Sequence, residues 1–394
     1  MTTAPISVDS DIDLFTDEAL DNPFPLYKTL RDLGPATRLT AHDIWFLSRY
    51  DVVREALGDW ETFSSAAGPG LNPVINEAWA HAIIAVDPPV HTKLRKLFTD
   101  RLGPRQLRPL AETIDQRADE LAERLVEMGE FDGVTDLAED LPVNVIMDLV
   151  GWPADERAKL LDFAAGSFDC CGPQNERMAN AMPKLAGSVE YVTEMFDSRR
   201  LAPGTFGATI ADAAYEGEIS KDDALGLLLA YVVAAFDTTI NAMSTGTWLF
   251  AQHPEQWQKL RDDPSKVPAA FNEIIRLESP IQYFSRTTTR DVDLGEGVVI
   301  PKDARVLHSY GSANRDERHY ENPDVFDVDR NPMDHLGFGL GNHGCAGQNL
   351  ARLEALAVFK ALVPRVRGFE LTGEPVRALN NVTRGFASVP VRIS

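Results

Sequence analysis

Apolar positions recur at helical spacing through most of the first two thirds of the chain. NPFPLYKTLRDLG reads as a short helix stopped at Gly34. IWFLSR reads as a strand, followed by a helix from Tyr50 to Leu57, and the glycines and prolines of residues 62–73, TFSSAAGPGLNP, mark a loop. From His91 to about Gly204 most segments keep helical spacing, among them VHTKLRKLFTDRL and QLRPLAETIDQRADELAERLVEM. A long helix is expected from about Ser220 to Gln252, capped by Ser220 with Asp222 and Asp223 in its first turn. Two shorter helices follow, near Glu255–Arg261 and Ser265–Glu278. The pattern then changes. Residues 281–345 carry strand-like pieces (TTTRDVDL, VVIP, ARVLHS) and turn signals such as ENPD. A last helix should run from Gln348 to about Leu362, before strand-like tails in FELTGEPV and ASVPVRIS. The fold class is mainly α with small β-sheets. Residues 1–20 read as a loose N-terminal segment and 21–394 as one unit.

Charge and cysteine content narrow the function. The formal net charge of −22 argues against nucleic acid and anionic membranes as partners. The longest apolar run, Leu225–Phe236, has twelve residues, too few to span a bilayer, and reads as a core helix. The N-terminus MTTAPISVDSDIDLF lacks a basic stretch followed by an apolar one, so no secretory signal is expected. Three cysteines, Cys170, Cys171 and Cys345, make no disulfide framework, which points to a cytoplasmic location. Cys170 and Cys171 read as packing residues, and no histidine spacing indicates a zinc site.

Cys345 stands in a glycine-rich loop, Phe338-Gly-Leu-Gly-Asn-His-Gly-Cys-Ala-Gly347, just before a helix. Such a loop lets backbone N–H groups approach a sulfur, and a helix N-terminus favours its negative charge. A cysteine after a glycine-rich turn is often no more than a buried thiol. Here the motif is longer. Phe-x-x-Gly-x-His-x-Cys-x-Gly running into Leu-Ala-Arg closely resembles the haem-binding loop of the cytochrome P450 family.

The resemblance spans nearly the whole chain, from about Asn22 onward, and implies a single cytochrome P450 domain binding haem b. It makes Cys345 the axial ligand of the haem iron, with Phe338 and Gly339 beside the sulfur. Glu273-Ile-Ile-Arg276 alone would be an ordinary helical ion pair. In the family, Glu-x-x-Arg is an internal brace joined by a second arginine, here Arg330. In Ala234-Ala-Phe-Asp237-Thr238-Thr, Asp and Thr are poor mid-helix residues, and a threonine there can bond back and bend the helix. The match is to the family's acid–alcohol pair. Thr238 would hydrogen-bond dioxygen and Asp237 would relay protons, with Ala235 standing where a glycine is usual. His91, Arg95, Arg286 and His343 match the family's partners of the haem propionates.

The implied activity is a haem-thiolate monooxygenase using O2 and two electrons. No nicotinamide or flavin fingerprint is present, so electrons would come from a ferredoxin-type donor with its reductase. Lys93, Lys96, Arg101, Arg105 and Arg108 form a local basic run in an acidic chain, and would dock it. Val233, Ala234, Phe236, Ile281 and Phe284 are expected to line a small apolar site. The chain looks like a bacterial subgroup that oxidises and O-demethylates small aromatics such as para-substituted benzoates. Only Ser64, Ser65, Tyr231 and Gln282 could hold a carboxylate here, so a neutral aromatic is expected. A peroxygenase, a haem sensor and a haem-free helical binding protein are the competing readings.

Overall fold

The structure, a computed structural model, describes residues 8–164 and 166–394, with the backbone but not the side chain of Arg101. Its helical body is built around α1 (Val90–Leu102), α2 (Pro104–Met128), α3 (Lys221–Ala235), α4 (Asp237–Gln252), α5 (Val267–Glu278) and α6 (Gln348–Leu362). α6 packs on α2, α4 and α5, and α3 continues into α4 through the middle of the body. The stretch 221–252 is long and apolar enough by composition to cross a membrane. Its apolar surface is taken up by neighbours, with Leu227, Leu228, Val232, Met243 and Phe250 in the main core.

A six-stranded sheet flanks this body. Its order is Asp9–Ser10, Ala36–Leu39, β1 (Ile44–Leu47), β3 (Arg305–Ser309), β2 (Tyr283–Thr288) and Phe63–Ser64. β2 and β3 are antiparallel, with Phe284 opposite His308 and Arg286 opposite Val306. In an antiparallel pair opposed residues share a face, so Phe284, Arg286, Val306 and His308 lie on one side. Two-residue steps put Tyr283 and Ser285 on the other.

Four expectations are corrected. The expected long helix is two helices, broken at Phe236 (φ −82°, ψ −71°). Thr238 Oγ1 donates to the Ala234 carbonyl at 2.9 Å, the back-bond that loosens a helix at such a threonine. Residues 62–73 are not all loop. Phe63–Ser64 pairs with Thr287 and Thr288 at the sheet edge, and a helix starts at Pro73, where Asn72 caps Ile75 N–H. Between the expected helices near residue 130, a strand (Glu130–Asp132) and a π-helical turn (Gly133–Ala138) intervene. The segment 1–20 is not loose where it is described, because Asp9–Ser10 extends the sheet and Asp17–Asp21 is helical.

Candidate active site

A cavity of about 300 Å³ lies between α3/α4 on one side and the Cys345 loop and α6 on the other. The loop reaches it because glycines turn it. Gly339 (φ +67°) and Gly341 (φ +69°) adopt left-handed conformations that a side chain would resist. A Cβ on Gly341 would also meet the Leu57 carbonyl at 2.6 Å. Cys345 N–H donates to the Phe338 carbonyl at 2.7 Å and closes the loop. Burial raises the Cys345 thiol above its usual range. The Gly347 N–H, Arg95, the Gln348 N–H and Arg352 act against that, and each favours a thiolate. The loop therefore stabilises negative charge on sulfur once something draws off the proton.

His91, Arg95, Arg286 and His343 come together on the cavity wall from three separate elements. The His91 and His343 rings are 4.3 Å apart, and each keeps a buried Nε2 with no partner. Arg95 reaches the Gly344 carbonyl at 2.5 Å and Arg286 the Leu57 carbonyl at 3.4 Å. Burial, followed by Arg286, His91 and Arg95, pushes His343 down to about 3. His91 is lowered by burial and Arg95, against the pull of Asp87. Four basic groups thus face one another with too little anion among them, an arrangement that calls for an anionic guest.

Thr238 lines the cavity; Asp237 does not. Burial, then Glu139 and Asp169, raises Asp237 to about 7, with Lys184 opposing. The acid and the alcohol are adjacent in sequence but face different surroundings. Of the expected apolar contacts, Val233, Ala234, Ile281 and Phe284 line the cavity. Phe236 does not. It is fully buried in the main core near Trp152, because the break at residue 236 turns it away from the cavity. Ser65 and Tyr231 reach the cavity, whereas Ser64 donates to Asp87 and Gln282 to the Glu278 and Ser279 carbonyls. Phe338 lies on the wall under the Arg352 guanidinium, 5.0 Å from its ring centre.

Glu273, Arg276 and Arg330 form the expected buried cluster. Arg276 Nε donates to Glu273 at 2.7 Å and Arg330 Nε at 3.2 Å, while Arg276 also binds the Asn314 and Pro323 carbonyls. A second cluster had escaped sequence reasoning. Glu278 holds Arg315, Arg384 and Arg377 at 2.9, 2.9 and 3.3 Å. Burial works to raise this carboxyl, but Arg384, Arg377 and Arg315 hold it below its ordinary range. No local spacing links these four, since Arg384 lies 106 residues along the chain. Trp79, Phe168 and Glu354 also line the cavity and carried no recognisable motif.

Comparison with known proteins decides the family. The model described as Cytochrome P450 matches residues 189–390. Cytochrome P450 CYP199A2 of Rhodopseudomonas palustris is 38% identical over 387 residues, covering 97% of this chain and 94% of that protein. The chain belongs to the cytochrome P450 family. A steroid C26-monooxygenase of Rhodococcus jostii is 32% identical over 360 residues, covering 88% of this chain and 75% of that protein. Among solved structures, cytochrome P450 CREJ in complex with (4-ethylphenyl) dihydrogen phosphate superposes with a TM-score of 0.86 at 28% identity, covering 95% of this chain and 98% of that one. CYP108D1 from Novosphingobium aromaticivorans has a TM-score of 0.81 at 28% identity, over 96% and 94% of the two chains. The protein is a P450 monooxygenase, an oxidoreductase carrying haem b on a cysteine thiolate. Its cavity fits that group. Two orphaned imidazole nitrogens, the buried Arg286 and the half-buried Arg95 suit a pair of propionates, and an apolar slot with one thiol opposite suits a porphyrin and its iron.

Proposed function

We propose that Cys345 would hold the haem iron through its thiolate and that this P450 oxidises a small, neutral aromatic substrate with electrons from a ferredoxin-type donor. One observation carries the reading: Cys345, the four bases and an apolar wall all face the same cavity. Haem held by a thiolate supplies the reduction of O2 and the cleavage of its O–O bond. The remaining work belongs to the chain. His91, Arg95, Arg286 and His343 would hold the two propionates, with Phe338 and Gly339 on the wall beside the thiol. Thr238, donating to Ala234, presents its oxygen lone pairs to the cavity as an acceptor. Asp237, raised to about 7, is protonated in a large fraction of molecules at neutral pH and holds a proton one residue away. Glu273, Arg276 and Arg330 brace the segment leading to the loop.

The wall around the substrate supports a neutral aromatic. Ile83, Ile84, Val233, Ala234, Ile281 and Phe284 line it. Of the five basic residues on the wall, four are taken by the propionates and the fifth, His308, is kept neutral by burial and by Arg286, leaving no cation for a substrate carboxylate. The ligand of the CREJ complex, (4-ethylphenyl) dihydrogen phosphate, is an aromatic of this small class, though it carries a phosphate. Hydroxylation or O-demethylation both fit. Spectral titrations with matched neutral and carboxylate ligands test this, and tighter binding of the benzoate would overturn it.

The donor would dock on α1 and the start of α2. Lys96, Arg105 and Arg108 are exposed and have no salt bridge among the described residues. Lys93 is less available, since its ammonium binds the Glu218 carbonyl, and the Arg101 side chain lies outside the described residues. Arg95 ties α1 to the Cys345 loop through Gly344, so a partner on this face sits close to the thiolate. A ferredoxin, O2 and this fold are consistent with a cytoplasmic enzyme. The deciding experiment is the spectrum of the reduced protein with carbon monoxide. The thiolate-type Soret band should appear in the wild type and be lost in Cys345→Ser.

A further inference from the structure

Five basic residues line the cavity wall, and four of them make the propionate cradle. The fifth is His308, on β3. It is 1% exposed, and neither of its ring nitrogens has a hydrogen-bond partner. His91 and His343 each have one orphaned nitrogen; His308 has two. Burial, followed by Arg286, drives its pKa well below the ordinary histidine range, so the ring is a neutral imidazole with one N–H to donate. The Phe284 and Val306 carbonyls pull the other way, yet neither makes a hydrogen bond to a ring nitrogen. Phe63 meets the ring edge-on, with centres 5.3 Å apart, and offers it no acceptor. A buried donor left without an acceptor is costly, so His308 calls for a partner from outside the chain.

The sheet register indicates where that partner lies. His308 stands directly opposite Phe284, and Arg286 is on the same face one step along β2, opposite Val306. Diagonal neighbours of this kind are about 7–8 Å apart, within reach of long side chains. The Arg286 guanidinium is itself short of an anion. It reaches the Leu57 carbonyl at 3.4 Å, and Asp87, which acts on it, already accepts from the Ser64 hydroxyl and the Ser65 N–H. We propose that His308 donates to the haem propionate held by Arg286, as a fifth member of the cradle.

Charge favours a neutral group at this place. Two propionates carry two negative charges, which Arg95 and Arg286 match. A third permanent cation would be left unbalanced in the core, whereas a neutral imidazole adds a hydrogen bond and no charge. Acceptors are sufficient, since each carboxylate offers about four lone-pair sites and both arginines spend N–H groups on protein carbonyls. No motif marks this member. His308 lies in ARVLHS, an ordinary strand by its residues, and only the pairing of β2 with β3 brings it beside Arg286. The inference rests on the haem-thiolate reading, on which the carbon monoxide spectrum of the wild type and of each variant reports separately.

His308→Leu removes the donor, and His308→Gln keeps an N–H. Transfer of haem to an acceptor globin should run about 10-fold faster from His308→Leu, as for loss of a hydrogen bond to a charged group, and within about twofold of the wild-type rate from His308→Gln. The propionate bending band in the resonance Raman spectrum should shift in His308→Leu and return in His308→Gln. With haem dimethyl ester, whose propionates carry no charge, the gap between wild type and His308→Leu should largely close. Wild-type haem loss with an unmoved Raman band in His308→Leu overturns the proposal. A gap that persists undiminished with the ester overturns it as well, since the imidazole would then support the fold and not the propionate. Weaker binding of a neutral aromatic by His308→Leu, with haem held as in the wild type, would set the ring against substrate and overturns it too. If His308→Leu does not fold, His308→Phe, which keeps a ring against Phe63 and has no donor, is read in its place.

Discussion

The cradle of His91, Arg95, Arg286 and His343 and the two clusters around Glu273 and Glu278 are made of similar residues and obey opposite balances. In the clusters each buried carboxylate is surrounded by guanidinium groups at 2.7–3.3 Å, and every arginine but Arg377, whose Nη1 is left without a partner, has carbonyls to take its remaining protons. In the cradle four bases converge, their ring nitrogens are orphaned and burial weakens their hold on protons. A closed balance makes a brace; an open one makes a site. Buried charge is informative through what is missing from it.

The comparison breaks if the two regions respond alike to mutation. Glu278→Gln leaves three buried guanidinium groups without their anion, and should destabilise the protein by about 3–5 kcal/mol. Urea unfolding should show nearly the same loss with haem and without it. Arg286→Leu should separate the states. Haem should dissociate about 10- to 100-fold faster, since a charge-assisted bond is lost, while the haem-free protein should be as stable as wild type or more so. Transfer of haem to an acceptor globin and unfolding of the haem-free protein measure the two. A haem-free Arg286→Leu protein as damaged as Glu278→Gln would show that the cradle is another brace.

A pH dependence sharpens the picture on the other side of the cavity. Asp237 is raised from 3.8 to about 7. Its native state holds a proton that the unfolded chain releases near pH 4, so its contribution to stability is fully present below about 4 and is lost as pH rises through about 7. Product per NADH should decline over the upper part of that window. In Asp237→Asn both slopes should flatten, and a wild-type profile in that variant would remove Asp237 from proton transfer. The smallest effect belongs to exposed charge. Lys96→Glu with Arg105→Glu should slow reduction by a ferredoxin several-fold at low salt and little at high salt, with unfolding unchanged within about 0.5 kcal/mol. Stopped-flow reduction across a salt series reads it.

Several features were already settled along the chain. Gln348–Leu362 and the helices flanking residue 263 were legible because their apolar period is undisturbed and their ends carry caps or prolines. Cys345, the acid–alcohol pair and the Glu273–Arg276 spacing were legible because their chemistry is written in contiguous residues. What lay beyond reach depended on direction and on distance. The turn at Phe236 arises from a back-bond two residues away and sends that ring into the core, a choice between faces that composition does not encode. The Glu278 cluster joins residues from 278 to 384, and Glu354 is buried with no charged partner acting on it. Sequence determined which groups are present and which local backbone they prefer. Tertiary structure alone decided which charges are balanced, because that depends on every neighbour in space at once.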